Sequence, residues 1–123
     1  MSYNIPTESQ EQQALFRWAA YAACKYSELA LMYHVPNEGK RTMVTGHRMR
    51  SEGMKSGVPD ICLPVARGGY HALYIEMKRT KRGVLSESQR WWLDKLAAQN
   101  NKAIMCKGWE AARMAIEEYL NMD

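Results

Sequence analysis

Residues 57–78 read GVPDICLPVARGGYHALYIEMK. Two apolar runs, 58–63 and 71–78, stand on either side of a break at Pro64 and an Arg67-Gly68-Gly69 turn signal, a pattern that predicts two strands joined as a hairpin. Successive side chains of a strand point to opposite faces, so Leu73, Ile75 and Met77 take one face and Ala72, Tyr74, Glu76 and Lys78 the other. One face of this strand therefore belongs to a core, while the other carries a carboxylate and an ammonium two residues apart. The partner strand opens on Pro59-Asp60, and cross-strand pairing can set Asp60 against Glu76 and Lys78.

Working outward towards the N-terminus, residues 29–35 form an apolar run ended by Pro36-Asn37-Glu38-Gly39, read as a strand and a turn. Residues 47–54 read as a short basic helix closed by Gly57. Thr7 or Ser9 caps a first helix, with Gln10 or Gln12 three residues on, and Leu15, Trp18, Ala19 and Ala22 recur at helical spacing. Towards the C-terminus, Ser86-Glu87-Ser88-Gln89 opens a helix with Gln89, Trp92, Leu93, Leu96 and Ala97 on its inner stripe. Residues 103–106 are a short strand, and Trp109, Ala112, Ile116, Tyr119 and Leu120 define a last amphipathic helix. The order is helix, three strands, helix, strand, helix. No repeat or long linker divides it, so residues 1–123 are expected to form a single α/β domain: one mixed sheet with helices on both faces.

Composition narrows the class. Of 123 residues, 46% are hydrophobic and 24% charged, which fits a globular chain and excludes wholesale disorder. The polar start MSYNIPTESQEQQ has no apolar segment of the secretory type and no long apolar run follows, so the expected location is cytoplasmic, with no membrane partner. Seventeen Lys and Arg against 13 Asp and Glu give +4. Residues 40–82 hold ten of those basic residues against three acids, a local +7 that leaves −3 on the rest. A basic middle suits a polyanion, and phosphate backbones are the common one; a solvated face is the competing reading. Cys24, Cys62 and Cys106 are an odd, scattered set, read as buried thiols, and His34, His47 and His71 lack metal or triad spacing, so zinc and Ser/His/Asp chemistry fall away.

What remains is Asp60, Glu76 and Lys78. Two convergent carboxylates repel and resist ionisation unless a cation lies between them, and hard oxygen donors select Mg²⁺ or Mn²⁺. Lys78 is placed to stabilise a pentavalent phosphate or to help activate water; a same-face ion pair with Glu76 is the structural alternative. Glu8 and Glu11 precede Leu15 by seven and four residues, so both project near the buried face at the start of the first helix, where complementing the helix dipole is their simplest role.

In this setting Pro59-Asp60 followed by Glu76-Met77-Lys78 matches the PD-(D/E)xK nuclease motif, and the chain resembles the VRR-NUC (virus-type replication-repair nuclease) domain. Glu8-x-x-x-Gln12 with Trp18 downstream, Val35-Pro36-Asn37, Gly57-Val58-Pro59-Asp60, Arg67-Gly68-Gly69-Tyr70, Ile75-Glu76-Met77-Lys78, Ser86-x-x-Gln89 and Gly108-Trp109 carry the resemblance over nearly the whole chain. It departs at Glu38, where the family often has Gly. The resemblance implies a restriction-endonuclease-like α-β-β-β-α-β core and a C-terminal helix. It implies Mg²⁺ or Mn²⁺ held by Asp60, Glu76 and the Met77 carbonyl, with the helix acid supplied by Glu8 or its competitor Glu11. Lys78 becomes the catalytic lysine and Gln89 orients lysine or water, with its capping role coexisting.

The implied activity is metal-dependent phosphodiester hydrolysis in branched DNA, in the bacterial or phage-infected host cytoplasm. Two matched cuts in a four-way junction call for two sites, so the expected form is a homodimer resolving Holliday junctions, with Trp91 a candidate dimer contact and a partly buried core edge its competing reading. The alternatives are a monomeric flap or single-strand-junction nuclease and a non-catalytic DNA-binding module. No small-molecule substrate is expected. Arg79, Lys81 and Arg82 after the Glu76 strand, and Arg48, Arg50 and Lys55 on the short helix, are the expected phosphate contacts, with recognition of shape over sequence.

Overall fold

The computed structural model describes residues 4–36 and 43–123. The expected turn at Asn37-Glu38-Gly39, and Lys40 and Arg41, lie outside the described residues. Helix α1 (Glu8–Ala22) uses Thr7 as its cap: the Thr7 side chain accepts from the Gln10 amide, and the Gln10 side chain accepts from the Thr7 amide. A 3-10 turn (Ser27–Leu31) and the two-residue strand β1 (Tyr33–His34) follow. The single strand expected over 29–35 is thus split. Leu29 and Met32 are both buried while Ala30 and Leu31 are exposed, and burial at a spacing of three suits a helical turn better than alternation does.

Helix α2 (Met43–Ser51) begins four residues earlier than expected. Strands β2 (Ile61–Leu63) and β3 (Leu73–Lys78), helix α3 (Glu87–Ala98), strand β4 (Lys102–Lys107) and helix α4 (Trp109–Leu120) complete the chain. The four strands form one mixed sheet in the order β1-β2-β3-β4. The β1–β2 and β2–β3 pairs are antiparallel and β3–β4 is parallel, with α3 as the crossover that a parallel pair requires. Arg67 bridges Tyr70 around Gly68 and Gly69, whose φ angles of 55° and 85° suit glycine; the turn signal before β3 forms as read.

The two faces of β3 have different fates. Leu73, Ile75 and Met77, none more than 1% exposed, meet Leu15 and Ala19 of α1 and Ala112, Ile116 and Tyr119 of α4. Removing the side chain of such a residue costs about 2–5 kcal/mol. Tyr119 is held in this core by donating its hydroxyl to the Val65 carbonyl at 2.6 Å. The opposite face, with Tyr74, Glu76 and Lys78, is met by the first turn of α3 through Gln89. Cys62 and Cys106 are buried, as expected, but Cys24 is exposed just past the end of α1, where its thiol donates to the Tyr21 carbonyl. Among the described residues no helix is long and apolar enough to cross a membrane.

Candidate active site

Asp60 immediately precedes β2, and the β2–β3 ladder ends at Ile61↔Ile75. Beyond that end, the Met77 amide donates to Asp60 Oδ2 at 2.7 Å. A buried carboxylate thus takes the place of a strand carbonyl, and its orientation is set by backbone. Glu76 comes from β3, and Glu8 is the first residue of α1. Carboxylate oxygens of Glu8, Asp60 and Glu76 all lie within 4.8 Å of one another. Lys78 Nζ stands 3.8 Å from Glu76 Oε2, and both side chains are nearly fully buried.

Gln89 closes the cluster from α3. Its Oε1 accepts from the Ser86 amide as half of a capping box, while its Nε2 donates to Glu76 Oε2 at 3.1 Å. One side chain thus both caps the helix and reaches the carboxylate cluster. The approach of α3 depends on Gly57: its φ is +88°, and an added Cβ would lie 2.7 Å from the Ser88 carbonyl carbon. The Gly57-Val58-Pro59-Asp60 stretch therefore runs against the α3 start because residue 57 has no side chain.

Burial, and next the adjacent Asp60 carboxylate, push the Glu76 carboxyl from 4.5 up to about 8; Glu8 adds to the rise and Lys78 opposes it. One ammonium does not balance three carboxylates, and the donor set is entirely oxygen. These residues fit a hard divalent cation such as Mg²⁺ or Mn²⁺. An open cleft of about 230 Å³ borders the Glu8 and Asp60 side of the cluster, lined by Glu8, Ser9, Gln12, His34, Asp60 and Met77.

Glu11, the other candidate for the helix acid, is elsewhere. It is buried, and its Oε1 accepts from the Trp109 amide at 3.0 Å, at the N-terminus of α4. The spacing to Leu15 puts both acids near one face, but Glu11 lies one turn deeper, where α4 supplies a donor and a positive helix end. Its assignment as a metal ligand is corrected accordingly.

A VRR-NUC family model matches residues 7–110, a span that contains every member of this cluster. The chain belongs to the VRR-NUC family. A solved structure named "VRR_NUC domain protein" aligns with a TM-score of 0.84 at 24% identity, covering 98% of this chain and 93% of that one, and so has the same fold. No curated protein matches the chain. In this VRR-NUC domain the fold brings Asp60, Glu76 and Lys78 together, with Glu8 from α1 and Gln89 from α3 beside them.

The basic residues of this VRR-NUC domain divide. Lys55, Lys81 and Arg82 are exposed, and Arg48 is exposed beside Glu52, 3.4 Å away. Arg50 is exposed at the end of α2. Arg79 is committed internally: its Nε donates to the Pro6 carbonyl at 3.2 Å and its Nη2 to the Ile5 carbonyl at 3.1 Å. Two cleft residues went unread in the sequence. His34, set aside for lack of motif spacing, reaches the cleft because β1 pairs with β2, and its Nδ1 lies 3.0 Å from the Asp60 carbonyl oxygen. Ser9 was considered only as a cap. The one signal for His34 was its position next to Val35-Pro36-Asn37. Trp91 is 55% exposed, while Trp92 donates its indole N–H to the Ser56 carbonyl.

Proposed function

We propose that this VRR-NUC domain is a Mg²⁺- or Mn²⁺-dependent endonuclease that hydrolyses phosphodiester bonds in branched DNA, acting as a homodimer on four-way junctions. The observation that carries the reading is the meeting of Glu8, Asp60 and Glu76 beside Lys78, with Glu8 and Asp60 facing an open cleft. A divalent ion held there supplies Lewis-acid activation of water and neutralises charge gathering on the phosphate. The chain's own residues do the rest. Asp60 holds its orientation through the Met77 amide and Glu76 through Gln89, so the ligand oxygens are set before substrate arrives. Lys78, fixed beside Glu76, presents a positive charge where the scissile phosphate becomes more negative, an interaction that strengthens towards the transition state. Lys55, Lys81 and Arg82 are exposed cations for the flanking phosphates, with Arg48 and Arg50 on α2 as a second group.

The dimer reading rests on the two-fold symmetry of a junction and on the exposure of Trp91. The test is incubation with synthetic four-way junction, 5′ flap, splayed arm and linear duplex, with and without Mn²⁺. Metal-dependent paired cuts in the junction, lost in Asp60→Ala and Glu76→Ala with DNA binding retained, are the expected result. Substantial metal-dependent cleavage remaining in both variants would remove the mechanism. A preference for flaps by a sedimenting monomer would replace the junction assignment, and binding without any cutting would leave a DNA-binding module.

A further inference from the structure

Arg79 directly follows Lys78, so strand alternation turns it away from the Glu76 and Lys78 face. There its guanidinium donates to two successive carbonyls, Ile5 and Pro6, in the segment that leads into α1. Pro6 is two residues before Glu8, and Thr7 between them is the α1 cap. The same helix start has a second anchor in the Glu11 carboxylate on the Trp109 amide. Glu8 is the one member of the carboxylate cluster that sits on a helix terminus rather than beside or within the sheet, and its residue is exposed while Asp60 and Glu76 are buried. A ligand on an exposed helix end loses its geometry as soon as the end frays. A fork of donors spanning consecutive carbonyls is a restraint that guanidinium supplies and a single ammonium does not.

We infer that Arg79 is a positioning residue: by tying the Ile5 and Pro6 carbonyls to the end of β3, it holds Glu8 in register with Asp60 and Glu76 for metal binding. The inference rests on the metal-site reading above and replaces a phosphate contact as the main role of this side chain. Arg79 thus acts on the ion's affinity through Glu8, not on DNA.

The test measures Mn²⁺ binding without DNA, by calorimetry or by loss of the free-ion electron paramagnetic resonance signal. The proteins are the wild type, Arg79→Met, Arg79→Lys, Glu8→Gln and the Arg79→Met/Glu8→Gln double variant; junction affinity is measured separately in EDTA. Arg79→Met is expected to weaken Mn²⁺ binding about tenfold, the scale for residues that orient ligands, with junction affinity changed less than about twofold. Arg79→Lys should recover part of the loss, and in the Glu8→Gln background Arg79→Met should have no further effect. Unchanged Mn²⁺ affinity, or a full tenfold loss that persists without the Glu8 carboxylate, would overturn the inference. A loss of junction affinity alone would return Arg79 to the phosphate contacts. If Arg79→Met does not fold, the Arg79→Lys protein carries the same comparison with and without Glu8→Gln. A wild type that binds no Mn²⁺ at all overturns the metal reading itself, and Arg79 with it.

Discussion

Helices α1 and α3 begin alike and serve the cluster differently. Each opens with a capping box of the form S/T-x-x-Q, Thr7 with Gln10 and Ser86 with Gln89. In α3 the capping glutamine itself reaches the cluster, since the amide that caps the helix also donates to Glu76. In α1 the capping glutamine only caps, and a separate residue, Glu8, enters the cluster. The α3 start is therefore locked by its own cap together with the close approach at Gly57, whereas the α1 start is also tied from outside, by Arg79 and by the Trp109 amide on Glu11. A helix end that supplies a ligand needs more fixing than one that supplies a support.

The strongest way to break this comparison is to remove each contribution in turn. Glu8→Ala deletes a ligand carboxylate and is expected to lower metal-dependent cleavage by at least about 100-fold, read as single-turnover rate at fixed Mn²⁺. Gln89→Ala deletes a support and should cost less, about 10–100-fold, with part of the loss recovered at high Mn²⁺. Equal losses from the two variants would erase the distinction between ligand and support.

A third prediction concerns stability without metal. The folded protein holds the Glu76 proton up to about pH 8, while the unfolded chain releases it near 4.5. Between those values the folded state binds more protons, so metal-free stability is fully present below about pH 4.5 and is lost as pH rises towards 8. Glu76→Gln removes that dependence. Its melting temperature in EDTA at pH 8 should exceed that of the wild type, by the equivalent of about 1–3 kcal/mol. Added Mn²⁺ should stabilise the wild type more than the variant. A wild type whose EDTA melting temperature is flat between pH 5 and 8 would show that the cluster carries no such strain.

The smallest effect sharpens the comparison most. Thr7→Ala and Ser86→Ala each remove a cap oxygen and should each cost about 1 kcal/mol in urea unfolding. Both should also slow cleavage by a few-fold, Ser86→Ala through Gln89 on Glu76 and Thr7→Ala through the helix start that carries Glu8.

Much of this was legible in the residue order because it depends on local rules. Alternation along β3 separates the core residues from Glu76 and Lys78 wherever that strand is placed, and the capping box fixes the α3 start from four residues, while for α1 it left Thr7 and Ser9 as alternatives. The ambiguous points were those where two local readings are equally good. Residues 29–35 are apolar enough for a strand or a turn, and the choice fell to which of them met the core.

Sequence by itself determined the faces of β3, the α3 cap and the Asp60, Glu76 and Lys78 set, since each follows from spacing within a single element or hairpin. Tertiary structure alone decided that Glu8 and not Glu11 joins Asp60 and Glu76, that Arg79 turns inward to the Ile5 and Pro6 carbonyls, and that His34 reaches the cleft. The reason is physical. Spacing says on which side of a helix or strand a group points, but a charged group's role depends on the partner it meets there. Those partners, the Trp109 amide for Glu11 and the N-terminal carbonyls for Arg79, are 98 and more than 70 residues away along the chain.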